Sequence, residues 1–414
     1  MKLHKLHLKN IGPFLDDTIE FATFENSKSQ VTILTGENGT GKTIIIDAIR
    51  KMFMDSYWAK QIRPITRNND FRLELEMNFK NENLLLKTKQ QEGDSEENLV
   101  VTRSNGMYNE ISSIIGNPSV AKGNNWIINY WTSQNDHQPF HISSLDFIKP
   151  ENYLSNVLDG IQQNAETTKI VTFFDYYKSS DNPIEKKEGE FIFDQLKKIF
   201  KISLYNGEFV HVQRTKLLPV IVQNGFEVTL EKLSSGNLYL VQRLISLLGQ
   251  MYSVYKLNNL PIEELCNTPG VLFIDEAENH LHPKWQKTFL NSILEMFPNL
   301  QIIVATHSPF IVGSVEGAKV YVCKPQAGYS VISDETSTYS NKPIEEILST
   351  EVFGETSSFA NKEIDELLEA RKEAIKSGNK SEESRIEAKL LEINPQYFSY
   401  LEIDKIIDQI KYNK

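Results

Sequence analysis

The chain is poor in several things, and each shortage removes a class of function. Only two cysteines, Cys266 and Cys323, occur in 414 residues; they lie far apart and form no CxxC pair, so neither a disulfide framework nor a thiolate metal cluster is expected. That usage suits a reducing compartment. The opening Met1-Lys-Leu-His-Lys lacks the apolar core of a signal peptide. No apolar run approaches the roughly 18 to 20 residues that cross a bilayer, so a cytoplasmic address without a membrane span is expected. Positive charge is also scarce. A net charge of −11 argues against a surface basic throughout and leaves any contact with DNA or RNA local or borrowed from a partner. Internal repeats and low-complexity tracts are missing as well. What remains, 40% hydrophobic and 24% charged residues, is globular in composition and long enough for two cores or one large α/β domain with insertions.

The first third has the rhythm of strands. Lys5-Leu6-His7-Leu8-Lys9 and Thr18-Ile19-Glu20-Phe21 alternate polar with apolar around the turn residues "IGPF", which predicts an N-terminal hairpin. "QVTIL", Gln30 to Leu34, reads as a buried strand, and Ile44, Ile45, Ala48, Ile49 and Phe53 recur at helical spacing after it. "FRLELEMNFK", "NLLLKTKQ" and "NLVVTRS" predict a strand meander from Phe71 to Ser104, with "QEGDSEEN" as an exposed acidic turn. Residues from about Ile142 to Lys201 are mostly helical in pattern, interrupted by the breaker cluster "KSSDNPIEKKEGE" between Lys178 and Glu190. Strands are expected again at "KISLYNG", "EFVHVQR", "LPVIVQ" and "FEVTL", ending at Leu230.

Chemistry can be placed on that outline. Gly36-Glu37-Asn38-Gly39-Thr40-Gly41-Lys42-Thr43 fits GxxxxGK[ST] between a predicted strand and a predicted helix, the context that motif requires. Its glycines let backbone N–H groups wrap phosphates, Lys42 suits the β/γ oxygens, and the Thr43 hydroxyl suits Mg²⁺. Gly36, Asn38, Gly39, Gly41, Lys42 and Thr43 are therefore the candidate ATP-binding set. Far downstream, Gly270-Val271-Leu272-Phe273-Ile274-Asp275-Glu276 describes a buried strand ending in two acids, where an open α/β sheet holds its ligands. Asp275 would hold Mg²⁺ and Glu276 would deprotonate the attacking water; two solvated acids at a strand end are the plainer alternative. Between them, Leu233-Ser234-Ser235-Gly236-Asn237 opens a long apolar helix, joining hydroxyls, free N–H groups and a positive dipole end. That turn is either an anion site or simply an N-cap.

The order of these motifs resembles the ABC ATPase superfamily and, within it, the SMC-like branch of soluble DNA-maintenance and defence ATPases. The resemblance rests on GENGTGKT at 36–43, LSSGN at 233–237, VLFIDEAENHLHP at 271–283 and ATHSPF at 305–310, and it covers the chain from Met1 to about residue 325. It implies an α/β fold: an ABC-type P-loop ATPase with a mixed sheet, a helical subdomain and a C-terminal helical tail. It implies that Ser234, Ser235 and Gly236 meet the γ-phosphate held by an opposite protomer's P-loop, so that a homodimer, or a higher homo-oligomer, sandwiches ATP. By the same resemblance His307 is a switch histidine sensing the γ-phosphate, although a histidine at a strand end is often purely structural. A glutamine that ligates Mg²⁺ and positions water also belongs to the family; Gln134 is the candidate, with Gln90, Gln91 and Gln138 as competitors.

Departures narrow the resemblance. The turn reads Ser-Ser-Gly-Asn where transporters usually have Ser-Gly-Gly-Gln, and "AENHLHPKWQ" after Glu276 looks like stand-alone SMC-like ATPases. His280 and His282 form an HxH pair without a third ligand at recognisable spacing, so zinc is not expected. The stretch between Thr43 and Leu233 shows no sustained heptads, which leaves no room for long SMC arms. The ATPase domain is expected at 1–340, with its helical insertion at about 142–201. The region 341–414 should be helical, its two charged amphipathic helices broken at Ser377-Gly378-Asn379. With no acidic catalytic cluster in that tail, any nuclease residues belong on another chain. The compact build and tail look most like the PtuA-type ATPases of Septu and related retron antiphage systems, whose usual partner is an HNH nuclease. A DNA-repair ATPase acting on DNA ends and the nucleotide-binding subunit of a transporter are the competing readings.

Overall fold

The computed structural model describes residues 1–53, 71–79, 82–89, 100–102, 125–134, 138–145, 147–154, 157–160, 164–204, 206–340, 342–350, 352–353 and 362–401. Gln90, Gln91 and the acidic turn at 91–98 lie outside them. The chain divides into two compact units, Met1–Ile347 and Leu348–Lys414.

The first unit is organised by an eleven-stranded sheet among the described residues, ordered β6-β5-β4-β1-β2-β14-β13-β3-β12-β11-β7. The expected hairpin is there: β1 (Lys2–Ile11) and β2 (Phe14–Glu20) pair antiparallel, Ile11 facing Phe14 across Gly12-Pro13. The meander β4 (Arg72–Phe79), β5 (Glu82–Lys89) and β6 (Val100–Thr102) extends that side. β13 (Lys319–Gln326) and β14 (Tyr329–Asp334) join the two halves of the sheet.

The other half is parallel and carries the chemistry. β3 (Val31–Gly36), β12 (Leu300–Ala305), β11 (Gly270–Ile274) and β7 (Ile127–Trp131) lie side by side and point the same way. Every residue in these four strands is buried. A strand covered on both faces must be apolar at nearly every position, which explains runs such as "VLFI" and "QIIVA" that do not alternate. Their four C-terminal ends fall in one row, the place where open α/β sheets bind ligands.

Three long helices form the helical part: Asn164–Tyr177, Pro183–Ser203 and Ser235–Asn258. They pack with a small sheet of β8 (Gly207–Gln213), β9 (Leu218–Gln223) and β10 (Phe226–Val228). Phe174 meets Tyr252 edge-on at 4.9 Å, and Phe200 stacks on Phe209 at 4.9 Å. Two expectations need correction here. The breaker cluster is confined to Lys178–Asn182, because Asn182 caps the next helix by accepting the Ile184 N–H and Pro183 takes a first-turn position. "KISLYNG" is not a strand: Ile199, Phe200 and Ser203 continue a buried helical face, and only Gly207 enters β8. In the insertion's first part, the described residues from 142 to 154 hold a single 3₁₀ turn at Pro150–Leu154.

Among the described residues no helix is long and apolar enough to cross a membrane. The second unit contains helices Lys362–Ser377 and Lys380–Ile393, broken where Gly378 takes φ +70° and Asn379 caps its successor by accepting the Glu382 N–H. Ile364, Ala374, Ile386, Leu390, Phe398 and Leu401 form its core, and Arg371 donates to the buried Glu387 at 2.8 Å.

Candidate functional site

β3 runs into the glycine loop, and the helix Lys42–Phe53 starts directly after it. Gly36, Gly39 and Gly41 have φ of +137°, +79° and +103°, conformations that a side chain would strain. At Gly41 a Cβ would also sit 2.6 Å from Pro13 and 2.7 Å from the Phe14 ring, so the tip of the N-terminal hairpin fixes the loop from outside. With the phosphate-wrapping conformation built in, Lys42 folds back and its Nζ donates to the carbonyls of Gly36 (3.1 Å) and Glu37 (2.8 Å). Burial pushes the Lys42 pKa down. A buried ammonium answered by neutral carbonyls is poised for an anion.

The end of β11 brings Asp275 against Thr43. The Thr43 hydroxyl donates to Asp275 Oδ1 at 3.1 Å, and the Asp275 N–H donates to the Trp131 carbonyl at 2.9 Å. Burial raises the Asp275 pKa to about 6, with the Glu276 charge adding to the shift and the Thr43 hydrogen bond opposing it. A hydroxyl and a buried carboxylate side by side are hard oxygen donors of the kind Mg²⁺ takes, so these residues fit that ion. Two groups steady Asp275 from behind. The Tyr130 hydroxyl lies 3.5 Å from Oδ2, and the guanidinium of Arg50 stacks 3.6 Å from the Tyr130 ring centre.

Glu276 sits just beyond, exposed, at a left-handed φ of +53° that a non-glycine residue adopts at some cost. Its Oε2 accepts from Ser133 Oγ and from Asn279 Nδ2, each at 2.7 Å. Glu278, in the segment after β11, holds the loop that follows β12: Oε1 accepts the His307 N–H at 2.8 Å and Oε2 accepts the Thr306 hydroxyl at 2.6 Å. Burial lowers the His307 pKa, and the nearby Lys42 charge lowers it further. Asn38, Gly39, Gly41, Lys42 and Thr43 thus share one cleft of about 250 Å³ with Asp275, Glu276 and His307.

Not every candidate residue is in that cleft. Ser234 N-caps the helix Ser235–Asn258, its hydroxyl accepting the Asn237 N–H at 3.4 Å. Ser234 and Ser235 are exposed. Gly236 lies under the His280 carbonyl, where a Cβ would collide. Ser234, Gly236 and Asn237 line a different cleft of about 440 Å³, together with His280, His282 and Trp285. Gln134 is not among the described residues lining the first cleft; its carbonyl accepts from Arg243 at 3.0 Å. Gln138 uses its carbonyl to accept from Asn164. The two histidines of the HxH pair serve the backbone: His280 Nε2 faces the Ser133 carbonyl at 3.1 Å, and His282 Nδ1 accepts the Lys284 N–H at 3.2 Å.

Residues that sequence reasoning did not single out complete the site. Glu278 stands inside "DEAEN" and could have been flagged by that motif alone. Tyr130, Ser133 and Arg243 carried no local signal, because their partners are distant in the chain; Arg50 pairs with Asp47 nearby, but its contact with the Tyr130 ring is equally distant.

Two family models match. One, described as "AAA domain", spans residues 5–218, more than half of the chain; another, "AAA domain, putative AbiEii toxin, Type IV TA system", spans residues 136–313. The chain is similar to "Retron Vc95 probable ATPase" of Vibrio cholerae serotype O1 biovar El Tor, with 23% identity over 384 residues covering 77% of this chain and 73% of that one. It is also similar to "Septu protein PtuA" of Bacillus mycoides (strain KBAB4), with 23% identity over 375 residues covering 85% of this chain but only 45% of that one. Among solved structures, an SMC head bound to the C-terminal winged-helix domain of ScpA matches at 16% identity and a TM-score of 0.47, over 80% of this chain and 97% of that one. The first family model spans more than half of the chain, and the phosphate loop and the acids stand where that chemistry needs them: the chain belongs to the AAA-domain family and is an ATPase.

Proposed function

We propose that two copies of this chain close around two ATP molecules, and that the nucleotide state of this dimer regulates an effector, a nuclease of the HNH type, in antiphage defence. One observation carries the dimer: the phosphate loop, the acids and His307 share one cleft, while the Ser234–Gly236 turn opens onto another. A second copy would join the two. The defence role is supported by the similarity to a retron ATPase and to a Septu protein.

In this reading the loop N–H groups and Lys42 bind the β- and γ-phosphates of ATP. Thr43 and Asp275 would hold the magnesium ion, which supplies charge neutralisation at the phosphate oxygens when bound. Glu276 takes a proton from the water that attacks the γ-phosphorus, the bond from that phosphorus to the ADP oxygen breaks, and ADP leaves with phosphate. His307 faces the terminal phosphate, held in place through its N–H by Glu278. Ser234, Ser235 and Gly236 of the second copy add hydroxyl, N–H and helix-dipole contacts to that phosphate. Gln134 is proposed as a further magnesium and water contact, reached by rotation of its side chain while Arg243 keeps hold of its backbone carbonyl.

The test of the effector role is to tag the protein in its native cell, purify it gently with ATP present and identify its companions by mass spectrometry. A co-purifying nuclease is expected. A membrane permease would overturn the proposal in favour of transport.

A further inference from the structure

We infer that Ser133 is a positioning residue for the hydrolytic step: it fixes the carboxylate of Glu276 so that one oxygen is occupied and the other is turned toward water. The inference rests on the reading of Glu276 as general base.

Ser133 stands two residues after β7, at the same row of strand ends as Asp275 and His307. Its hydroxyl donates to Glu276 Oε2 at 2.7 Å, and Asn279 Nδ2 donates to the same oxygen at 2.7 Å. Two donors converging on Oε2 leave Oε1 as the oxygen from which a proton can be taken up. A carboxylate free to rotate would present either oxygen in many orientations, and misplacement of a catalytic group by about 1 Å can cost on the order of a hundredfold in rate.

Such a device works only if Ser133 itself is held, and its backbone is gripped on three sides. The side chain of Arg243, buried at 2% exposure, donates to the Thr132 carbonyl at 2.8 Å and to the Gln134 carbonyl at 3.0 Å, bracketing Ser133. Its other nitrogen donates to the Gly160 carbonyl at 2.6 Å. The Ser133 carbonyl faces His280 Nε2 at 3.1 Å. A guanidinium has five donors in a rigid plane and stays charged, so a buried arginine that donates to three backbone carbonyls is a fixture for backbone. A loop serine that merely capped a nearby carboxylate would need none of this support.

The experiment is single-turnover ATP hydrolysis by the full-length protein, with nucleotide affinity read separately from a fluorescent ATP analogue and folding from thermal melting. Ser133→Ala should slow hydrolysis about tenfold while leaving affinity and melting unchanged. Ser133→Thr, which keeps the hydroxyl, should stay within about threefold of the parent. In a Glu276→Gln background, Ser133→Ala should cost nothing further, because the group it positions no longer accepts a proton. A Ser133→Ala rate within about twofold of the parent, or the same loss with and without Glu276, would overturn the inference. If Glu276→Gln alone leaves the rate untouched, the general-base reading fails and takes this inference with it.

Discussion

The two clefts of this chain are built to different standards of completeness. In the first, nearly every polar group is tied to another: Lys42 to the loop carbonyls, Thr43 to Asp275, Ser133 and Asn279 to Glu276, Glu278 to the loop of Thr306 and His307. In the second, Ser234 and Ser235 lie exposed at a helix start, with one hydroxyl spent on its own helix cap. One cleft is pre-organised for an anion, and the other is an open turn at a helix start. In the proposed dimer each cleft is one half of a composite site, and the contrast between them means that each half can be broken separately.

The largest effect is expected from the first cleft. Lys42→Ala removes the buried ammonium and should weaken ATP binding by at least about a hundredfold, read by equilibrium binding of a fluorescent analogue. Ser234→Arg attacks the second cleft instead. It should leave the ATP affinity of the single chain within about threefold while cutting steady-state hydrolysis at least about tenfold, and loss of the helix cap should cost about 1 kcal/mol in melting. The comparison sharpens further on mixing the two variants. One chain still offers an intact Ser234 turn and the other an intact Lys42, so the mixture should hydrolyse ATP faster than the sum of its parts.

A smaller effect is expected from Glu278→Gln, which keeps the shape but weakens the hold on His307 and Thr306. Hydrolysis should fall about tenfold with little change in affinity, a split visible in kcat against KM. Outside both clefts, Phe200→Ala should leave single-chain ATP affinity intact and lower the stability of the unit by about 3 kcal/mol in chemical denaturation, since that ring is fully buried against Phe209.

Much of this was legible in the sequence where the determinants are local. The glycine loop, the "VLFI" strand with its two acids, the hairpin around "IGPF" and the helix break at Ser377–Asn379 all depend on neighbours within a few residues. The readings that changed did so for tertiary reasons. Gly189 looked like part of a breaker cluster, yet it stands inside a helix where a Cβ would strike the backbone of Tyr177 and Lys178; it is a close-packing residue. "KISLYNG" has enough apolar residues for a strand, but its first half completes a helix whose buried face begins well upstream. In the site, the roles of Ser133, Tyr130 and Arg243 depend on contacts that span more than a hundred residues, and no periodicity or spacing reports them.

The most direct test of the two-halves account is the molar mass of the Glu276→Gln protein by light scattering, with and without ATP and magnesium. The account predicts a monomer without nucleotide and, with ATP trapped unhydrolysed, a dimer of about twice the 47.5 kDa chain that Ser234→Arg abolishes. A Glu276→Gln protein that binds ATP and stays monomeric would contradict it.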